Sequence, residues 1–257
     1  MGQMADTRSS VTRRESAKLR DGDRLRALPL FSSLDAAVAD RLAARCRFAE
    51  HEPDAVIVDH QDPSTDVRFV LTGDVRVVMR VAEGREYILN DGGPGDFFGE
   101  LSAIDGGGRS ASVIAVTRAQ TCSMPATVFR EAIDADPQMR WTIMERLAGL
   151  IRRLSEKVTE YSFLQAKHRI YSELLRMSVP RQAGAKSGAK SEPDERVVSP
   201  PPVQRELADR IGSRREVVSR VLSELERGGT VSRTRGALVI RDVPRLRALI
   251  REGWGET

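Results

Sequence analysis

The spacing of apolar positions predicts a β-rich middle section. Between about residues 55 and 125, short runs rich in β-branched residues alternate with Gly, Asp and Pro. Many short strands separated by regular turn signals are typical of a β-sandwich or a barrel-like roll. The predicted strands cover residues 56–58, 67–71, 75–81, 87–89, 112–116 and 120–123.

Helical spacing flanks this section on both sides. Leu34, Val38 and Leu42 predict a short amphipathic helix before it, with Ser32 or Ser33 as the N-cap. After it, helical periodicity returns near residue 136 and continues to about residue 178.

The remaining C-terminal residues predict a linker and then a small mixed unit. Residues 180–202, with Gly, Ser, Lys and three consecutive prolines, read as a loop or linker. The chain is then helical as far as residue 227, and it turns at two glycines into two short strands around residues 235–236.

One apolar stripe in the long helical segment is narrow and regular. Its members lie alternately three and four residues apart, forming an a/d seam of about two and a half heptads; they are Met144, Leu147, Ile151, Leu154, Val158 and Tyr161. Charged residues flank it, and the stripe can pack either on the protein's own β section or on a second copy. Its narrowness favours a parallel helix pair, and hence a homodimer.

The charge of the chain is unevenly distributed. The 257 residues carry a net charge of +4, and this length predicts about two domains. Residues 203–257 contain twelve Arg, no Lys and eight acidic residues, whereas residues 28–202 are net −3 and residues 1–27 net +3. Arg binds phosphate and guanine bidentately, which Lys cannot do. A solvated basic face would give the same excess, so charge alone does not establish nucleic-acid binding.

Composition excludes several classes of protein. The chain contains no apolar stretch of about 18 residues, which argues against a membrane span, and residues 1–26 lack the apolar segment of a secretory signal. The two cysteines do not make a disulfide framework or a zinc site, and three histidines make a protein-built metal centre unexpected. We expect a soluble, cytoplasmic protein.

Residues 99–113, Gly-Glu-Leu-Ser-Ala-Ile-Asp-Gly-Gly-Gly-Arg-Ser-Ala-Ser-Val, carry a first chemical motif. A helical turn opened by Gly99 exposes backbone N–H groups that can bind an anion. Arg109 can clamp a phosphate from the other side, and Ser110 can add a hydroxyl donor. Glu100 would repel an anion, but it can accept hydrogen bonds from a neighbouring sugar hydroxyl. The motif therefore indicates a compact nucleotide, against the alternative of a structural turn with a salt bridge.

Residues 203–222 carry a second motif. Ala208 is small where two helices would cross, Gly212 takes a left-handed turn position four residues later, and Val218 anchors the second helix in a core. This is the spacing of a helix-turn-helix, whose second helix enters the major groove of DNA. Ser213 is the expected N-cap of that helix. Two packed helices with a charged outer face are the alternative.

The exposed side chains of this unit have the chemistry to read DNA. Arg can bind guanine, and Glu can accept a hydrogen bond from cytosine. A hairpin over residues 230–241 would form a wing that touches phosphates. The predicted DNA-contacting residues are Arg205, Ser213, Arg214, Arg215, Glu216, Ser219, Arg220, Arg233 and Arg235.

The two motifs and their order resemble the bacterial cyclic-AMP receptor protein/FNR family of transcription regulators. Residues 99–113, with the Gly-Glu-Leu opening and the closing Arg-Ser-Ala, are similar to the phosphate-binding cassette of cyclic-nucleotide-binding domains, and the preceding Pro-Gly-Asp-Phe-Phe also fits. The resemblance covers about residues 28–245. It implies an α+β fold with an N-terminal, double-stranded jelly-roll-like β-roll, a long dimerisation helix and a C-terminal winged helix-turn-helix.

The resemblance implies specific roles and partners. Glu100 would bind the ribose 2′-hydroxyl, Arg109 and Ser110 the cyclic phosphate, and the recognition residues a TGTGA-like half-site in an inverted repeat. The full nucleotide-binding set is Gly99, Glu100, Leu101, Ser102, Arg109, Ser110, Leu89, Asn90, Leu154 and Ser155. Operator DNA, a second copy of the chain and RNA polymerase are the expected partners. FNR-type cysteines and a haem-ligating histidine in the roll are missing, so no metal, haem or iron–sulfur cluster is expected.

One departure from the family keeps the base open. Where the cyclic-AMP receptor has a Thr-Ser pair facing adenine, this chain has Leu154 and Ser155. Leucine cannot hydrogen-bond the adenine amino group, although Ser155 can do so from the partner subunit, and Arg152 and Arg153 lie nearby. Cyclic AMP is the expected ligand; cyclic GMP, recognition of both, another effector or none are the alternatives.

An enzyme that binds a nucleoside triphosphate is the rival from another class. The Gly-Gly-Gly loop at 106–108 lacks the Gly-Lys-Ser/Thr ending of such a site, and the sequence has no convergent acid–base or metal cluster. We therefore expect no enzyme. The expected division of the chain is an extension at 1–27, the nucleotide-binding roll at 28–136, the dimerisation helix at 137–178, a linker or start of the DNA-binding domain at 179–202 and the winged helix-turn-helix at 203–257.

Overall fold

The N-terminal half of the protein is a β-roll. A computed structural model describes residues 20–80, 86–181 and 195–255. The strands of the roll are β1 Arg47–His51, β2 Val56–Val58, β3 Val67–Thr72, β4 Val75–Arg80, β5 Glu86–Gly92, β6 Phe97–Phe98, β7 Ser112–Ala115 and β8 Ala119–Met124. They form two four-stranded antiparallel sheets with the orders β1-β8-β3-β6 and β2-β7-β4-β5.

Alternation along β3 explains how one strand serves two cores. Val67 and Phe69 point into a cluster between the sheet and the helices, whereas Val70 points into a second cluster between the two sheets. Successive side chains of a strand point to opposite faces, so a strand that is apolar on both faces is buried on both. Phe31 packs edge-on against Phe69, with ring centroids 4.9 Å apart.

The strand predictions are confirmed in position, with differences at their ends. β5 extends beyond the predicted 87–89 at both ends, and the predicted end of β4 at residue 81 lies outside the described residues. β1 and β6 were not predicted, because β6 has only two residues and β1 mixes charged and apolar residues. Strand β5 contains a β-bulge. Val77 and Val78 of β4 lie opposite Asn90 and Ile88 of β5, so Leu89 is the extra residue.

The helix before the roll begins later than the sequence predicts. Helices α1 Asp21–Arg26 and α2 Ala36–Ala43 are joined by a 3-10 turn at Pro29–Phe31. The prediction that Ser32 or Ser33 caps α2 is wrong, because Asp35 occupies the N-cap position. The Ser32 hydroxyl donates instead to the Pro29 carbonyl at 2.9 Å, which closes the 3-10 turn.

The helical segment after the roll is divided into separate helices. A short helix α3 Glu100–Asp105 lies within the roll, and α4 Ala126–Ala135, α5 Pro137–Phe163 and α6 Ala166–Met177 follow it. The single continuous helix predicted from 136 to 178 is therefore wrong. Leu164 is extended and buried, and its carbonyl accepts a 2.8 Å hydrogen bond from Arg169 Nη1, which ends α5.

The C-terminal half has its own core. It contains α7 Gln204–Arg210, α8 Arg215–Arg227, α9 Val243–Trp254 and a sheet with the order β11-β12-β10-β9, whose strands are β9 Val179–Pro180, β10 Arg196–Val198, β11 Val231–Arg233 and β12 Leu238–Ile240. Helix α6 contributes Ile170 and Leu174 to this core.

The sequence predicts residues 180–202 as loop, which is wrong at Pro180, in β9, and at residues 196–198, in β10. The middle of this segment, 182–194, lies outside the described residues. In the described ranges, no helix has both the length and the apolar character needed to cross a membrane.

Candidate functional site

The cassette motif begins at Gly99, which precedes α3. Its φ of +88° is in the left-handed region, where glycine is preferred. A Cβ at this position would lie 2.2 Å from Nη1 of Arg109 and 2.7 Å from the carbonyl oxygen of Asp66. Only glycine therefore lets the Arg109 guanidinium and the loop before β3 come this close to the start of α3.

Arg109 is buried and held by the loop before β3. Its Nη2 donates hydrogen bonds to Ser64 Oγ at 2.8 Å and to the Asp66 carbonyl at 2.9 Å, and burial lowers its pKa. Its Nε is also buried and has no hydrogen-bond partner within the described residues. A buried donor without a partner is costly. An anion at this position would supply the missing acceptor.

Glu100, the first residue of α3, is as buried as Arg109, with 8% of its surface exposed. Burial raises the pKa of Glu100, although Arg146 and Arg109 act in the opposite direction. The protein therefore compensates the buried carboxylate only in part. A carboxylate in this setting can accept hydrogen bonds from a ligand hydroxyl, which would replace the water that it has lost.

The loop before β3 contains candidate site residues that the sequence does not predict. Ser64 accepts the hydrogen bond from Arg109, and its own backbone N–H donates to Asp62 Oδ1 at 2.7 Å, which lowers the pKa of Asp62. The Asp-Pro-Ser sequence signals only a turn. Nothing in it indicates a partner 45 residues further along the chain.

Other residues of the predicted nucleotide-binding set occupy different positions. Ser102 is buried, and its hydroxyl donates to the Gly108 carbonyl at 3.1 Å, so it supports the glycine-rich loop from within. Ser110 is exposed and Leu101 is half-buried. Leu89 and Asn90 lie at the bulge of β5.

Helix α5 runs beside this bulge. Lys157 Nζ donates a 3.1 Å hydrogen bond to the Leu89 carbonyl, and burial lowers the pKa of Lys157. Leu154 lies three residues earlier on the same helix, and both Leu154 and Ser155 are exposed. Helix α5 therefore contacts β5 through Lys157, two and three residues after the predicted base-facing positions.

The predicted seam of α5 is largely exposed. Between 38% and 65% of the surface is accessible at five of its six positions, which are Met144, Ile151, Leu154, Val158 and Tyr161. Leu147 differs, because it packs against the core of the roll. Contiguous apolar surface of this kind is typical of an interaction site.

The second motif forms two packed helices, α7 and α8. Ala208 and Val218 are buried in the C-terminal core, and Gly212 has a φ of +58°. The spacing on which the helix-turn-helix prediction rests is therefore confirmed. Ser213 as N-cap is wrong: Arg214 occupies that position, and the Ser213 N–H is used in the turn, where it donates to the Ala208 carbonyl.

The predicted DNA-contacting side chains lie on the outside of this unit. Arg214, Arg215, Glu216 and Arg220 are exposed around the first turns of α8. Arg205 on α7 and Arg235 at the turn between β11 and β12 are exposed as well. Arg233 is partly engaged, since its Nε donates to Glu226 on α8 at 2.5 Å. The start of α8 therefore presents three exposed guanidinium groups and one exposed carboxylate.

Comparisons with known protein families match both motifs. Residues 49–136 match the cyclic nucleotide-binding domain, and residues 145–249 match the Crp-like helix-turn-helix domain. A CRP-like cAMP-activated global transcriptional regulator of Mycobacterium tuberculosis (strain H37Rv) is 27% identical over 185 residues, which cover 72% of this chain and 80% of the relative. The cAMP-activated global transcriptional regulator Vfr of Pseudomonas aeruginosa is 28% identical over 196 residues, which cover 75% and 88%.

Solved structures share the fold. FixK2 from Bradyrhizobium japonicum superposes with a TM-score of 0.63 at 24% identity, covering 79% of this chain and 96% of that chain. A CooA mutant from Carboxydothermus hydrogenoformans gives a TM-score of 0.68 at 18% identity, covering 85% and 91%. At these identities the likeness supports the fold and not the ligand.

Proposed function

The chain belongs to the cyclic-AMP receptor protein/FNR family of bacterial transcription regulators, and we propose that it is a homodimeric regulator whose binding to operator DNA is controlled by a cyclic nucleotide. Cyclic AMP is the favoured ligand, and the DNA site is a palindrome with TGTGA-like halves. The role is regulatory and not catalytic. RNA polymerase is the expected further partner, in the cytoplasm.

The observation that carries this proposal is that Arg109 and Glu100 are buried near each other at the start of α3. A buried guanidinium whose Nε–H has no partner among the described residues suits a phosphate, and a buried carboxylate near it suits a ribose hydroxyl. The two opposite charges match a ligand with an anionic and a hydroxyl-bearing end close together. In a cyclic nucleotide, phosphate and ribose are fused in this way.

The identity of the base rests on the names of two relatives and on the residues of α5. Two relatives are named as cAMP-activated regulators, which favours adenine. Leu154 cannot hydrogen-bond a base, so base recognition would fall to Ser155 of the partner subunit, with Arg152 and Arg153 close by on the same helix. Recognition of guanine, or of both bases, is therefore the second candidate, and another effector or none is the third.

The exposed residues of α8 support sequence-specific DNA binding. Arg215 and Arg220 can bind guanine in the major groove, while Glu216 can accept from cytosine. Arg205, Arg214 and the wing arginines would bind phosphates, which supplies affinity that falls with salt. Pairing of two copies through the exposed seam of α5 would present two such helices about 34 Å apart, the repeat of one DNA turn.

Nucleotide binding would act by shifting a conformational equilibrium. Arg109 and Glu100 would orient the ligand, while the base end would reach α5 and the dimer seam. A ligand shifts an equilibrium only by its difference in affinity for the two states. The state that it favours would place both recognition helices at the spacing of the operator.

We propose that the roll at 28–136 binds the nucleotide and that the helix-turn-helix at 203–257 binds DNA. The extension at 1–27 lies outside both. Helix α5, the core of the expected segment 137–178, would form the dimer. Helix α6 would act with the DNA-binding half, since its apolar side chains lie in that core.

Fluorescence anisotropy with a labelled duplex tests this function. The duplex carries an inverted TGTGA repeat, and a scrambled duplex is the control. We expect cyclic AMP to increase affinity for the operator by about fivefold or more, the usual lower bound of allosteric coupling. Equal affinity for the two duplexes, with and without either cyclic nucleotide, would overturn the proposal.

A further inference from the structure

Four charged residues join the roll to the helix-turn-helix. Arg76 on β4 and Asp91 on β5 face Glu206 and Arg210 on α7. Arg76 Nη1 lies 2.9 Å from Glu206 Oε1, Arg76 Nε lies 2.8 Å from Asp91 Oδ1, and Arg210 Nη2 donates to Asp91 Oδ2. These four side chains, the interdomain cluster, alternate in charge, so each member is attracted to its neighbours across the boundary.

Arg210 is the most buried member of the interdomain cluster. Only 7% of its surface is exposed, its Nε has no partner in the part of the chain that the structure describes, and Glu173 on α6 lies 3.9 Å from its Nη1. Removing one partner from a buried ion pair leaves an uncompensated charge, which is strongly unfavourable. Arg210 therefore favours the arrangement in which Asp91 is close.

The strand that supplies Asp91 also carries two residues that are expected to line the nucleotide site, Leu89 and Asn90. Asn90 precedes Asp91 directly, and the bulged Leu89 accepts the hydrogen bond from Lys157 on α5. Tyr87, on the same strand, has its hydroxyl 2.7 Å from that of Tyr161. β5 thus contacts α5 and α7 within five residues, next to the positions expected to line the nucleotide pocket.

The end of α5 supports the same junction. The Tyr161 hydroxyl lies 3.3 Å from the Arg210 carbonyl, and a Cβ at Gly212 would lie 3.1 Å from the Tyr161 ring. Arg169 on α6 stacks over that ring at 4.7 Å. The helix-turn-helix therefore contacts both α5 and the roll.

We propose that Arg76, Asp91, Glu206 and Arg210 are positioning residues that set the orientation of the helix-turn-helix and transmit nucleotide binding at the roll to DNA binding. The inference rests on the proposed function. The physical requirement for coupling is an element whose position both sites bias. β5 is such an element, since one part of the strand carries residues that are expected to line the pocket, while Asp91 binds α7.

Operator affinity in the presence and absence of cyclic AMP tests this inference, with cyclic GMP as a parallel probe. The ratio of the two affinities is measured for full-length wild type, Asp91→Asn, Glu206→Gln and the charge-keeping Glu206→Asp. We expect the ratio to fall at least about fivefold in the two neutralised variants, and to stay within about twofold of wild type in Glu206→Asp. The Arg76→Gln/Glu206→Gln double variant is compared with its two single variants, Arg76→Gln and Glu206→Gln, and is expected to lose no more than the larger single loss, as residues of one network do.

A matched control removes a carboxylate from an ion pair away from the boundary. Glu131→Gln breaks the exposed pair with Arg45 on the roll and is expected to keep the wild-type ratio. Glu206 is partly exposed, so its variants remain informative if Asp91→Asn does not fold. A wild-type ratio above one that persists in both neutralised variants overturns this inference alone. A wild-type ratio of one with both nucleotides overturns the proposed function and this inference together.

Discussion

The main-chain carbonyl of Gly99 accepts a hydrogen bond of 3.4 Å from Nη1 of Arg109, ten residues further along the chain. The contact exists because Gly99 has no side chain and a positive φ. It places the Arg109 guanidinium beside the start of α3, where the next residue, Glu100, supplies a carboxylate. The proposed nucleotide site depends on this contact.

Arg109→Ala is expected to abolish most nucleotide binding and to leave the fold intact. Removing one partner of a buried, hydrogen-bonded charge pair costs about 2–5 kcal/mol, so cyclic AMP affinity measured by calorimetry should fall about 30-fold or more. The exposed Arg118 on the roll provides a control, since Arg118→Ala changes the net charge equally. Unchanged affinity in Arg109→Ala would refute the cassette assignment.

Glu100→Gln is expected to stabilise the protein at pH 7 and to weaken nucleotide binding. Burial raises the pKa of Glu100 above its ordinary value of 4.5, so the folded state binds more protons than the unfolded state between the two pKa values. The stability that this proton contributes is lost as the pH rises through the folded pKa. The gain in Tm from Gln is therefore largest near pH 7 and shrinks as the pH falls toward 4.5.

Thermal unfolding between pH 4.5 and 7 measures this dependence, and calorimetry on the same samples measures the ligand. A hydrogen bond to a charged group is worth about 1.5–3 kcal/mol, so we expect affinity to fall about 10- to 100-fold. A lower Tm for Glu100→Gln than for wild type at pH 7 would show that the fold fully stabilises the buried carboxylate. That result would contradict the partial compensation described for this site.

Glu216→Ala is expected to relax sequence choice at one base pair. The side chain is exposed near the start of α8, where it can accept a hydrogen bond from cytosine. Discrimination at that position is expected to fall by about 1–3 kcal/mol, as measured by gel shifts with each base pair of the operator substituted in turn. Glu224→Ala, further along the same helix, is the matched control. An unchanged profile for Glu216→Ala would exclude it from base readout.

Val158→Glu is expected to convert the dimer to monomers. The side chain is 65% exposed in the C-terminal half of the α5 seam, and pairing of two copies would bury two carboxylates without partners. Burying one unpaired charge costs several kcal/mol, so the dimer dissociation constant from sedimentation is expected to rise about 100-fold or more. Thr159→Glu places the same charge beside the seam and is expected to keep the dimer. A stable dimer in Val158→Glu would mean that the seam pairs elsewhere or not at all.

The sequence predicted local features better than long-range ones. Six strands followed from alternation and turn residues, and the helix-turn-helix followed from the positions of Ala208, Gly212 and Val218, because each signal lies within a short stretch of chain. The end of α5 was missed, since helical periodicity continues through Leu164 while burial of that residue makes it extended.

The partners of buried charges were not predictable for a related reason. Arg109 is held by Ser64 and by a backbone carbonyl, and Arg210 pairs with Asp91 across 119 residues. Nothing periodic marks either residue, and charged side chains in loops and on helix surfaces are usually solvated. Only the packing of the roll against α5 and α7 selects these few from the many charges in the chain.

Paired calorimetry is the most direct measurement of the central claim, which is that one chain couples a small cyclic nucleotide to operator DNA. Cyclic AMP and, separately, cyclic GMP are titrated into the wild-type protein with and without saturating operator. We predict one nucleotide per protomer and an affinity at least about fivefold higher when operator is bound, because coupling between two sites is reciprocal. Absence of binding by both nucleotides, or an affinity that operator does not change, would contradict the account.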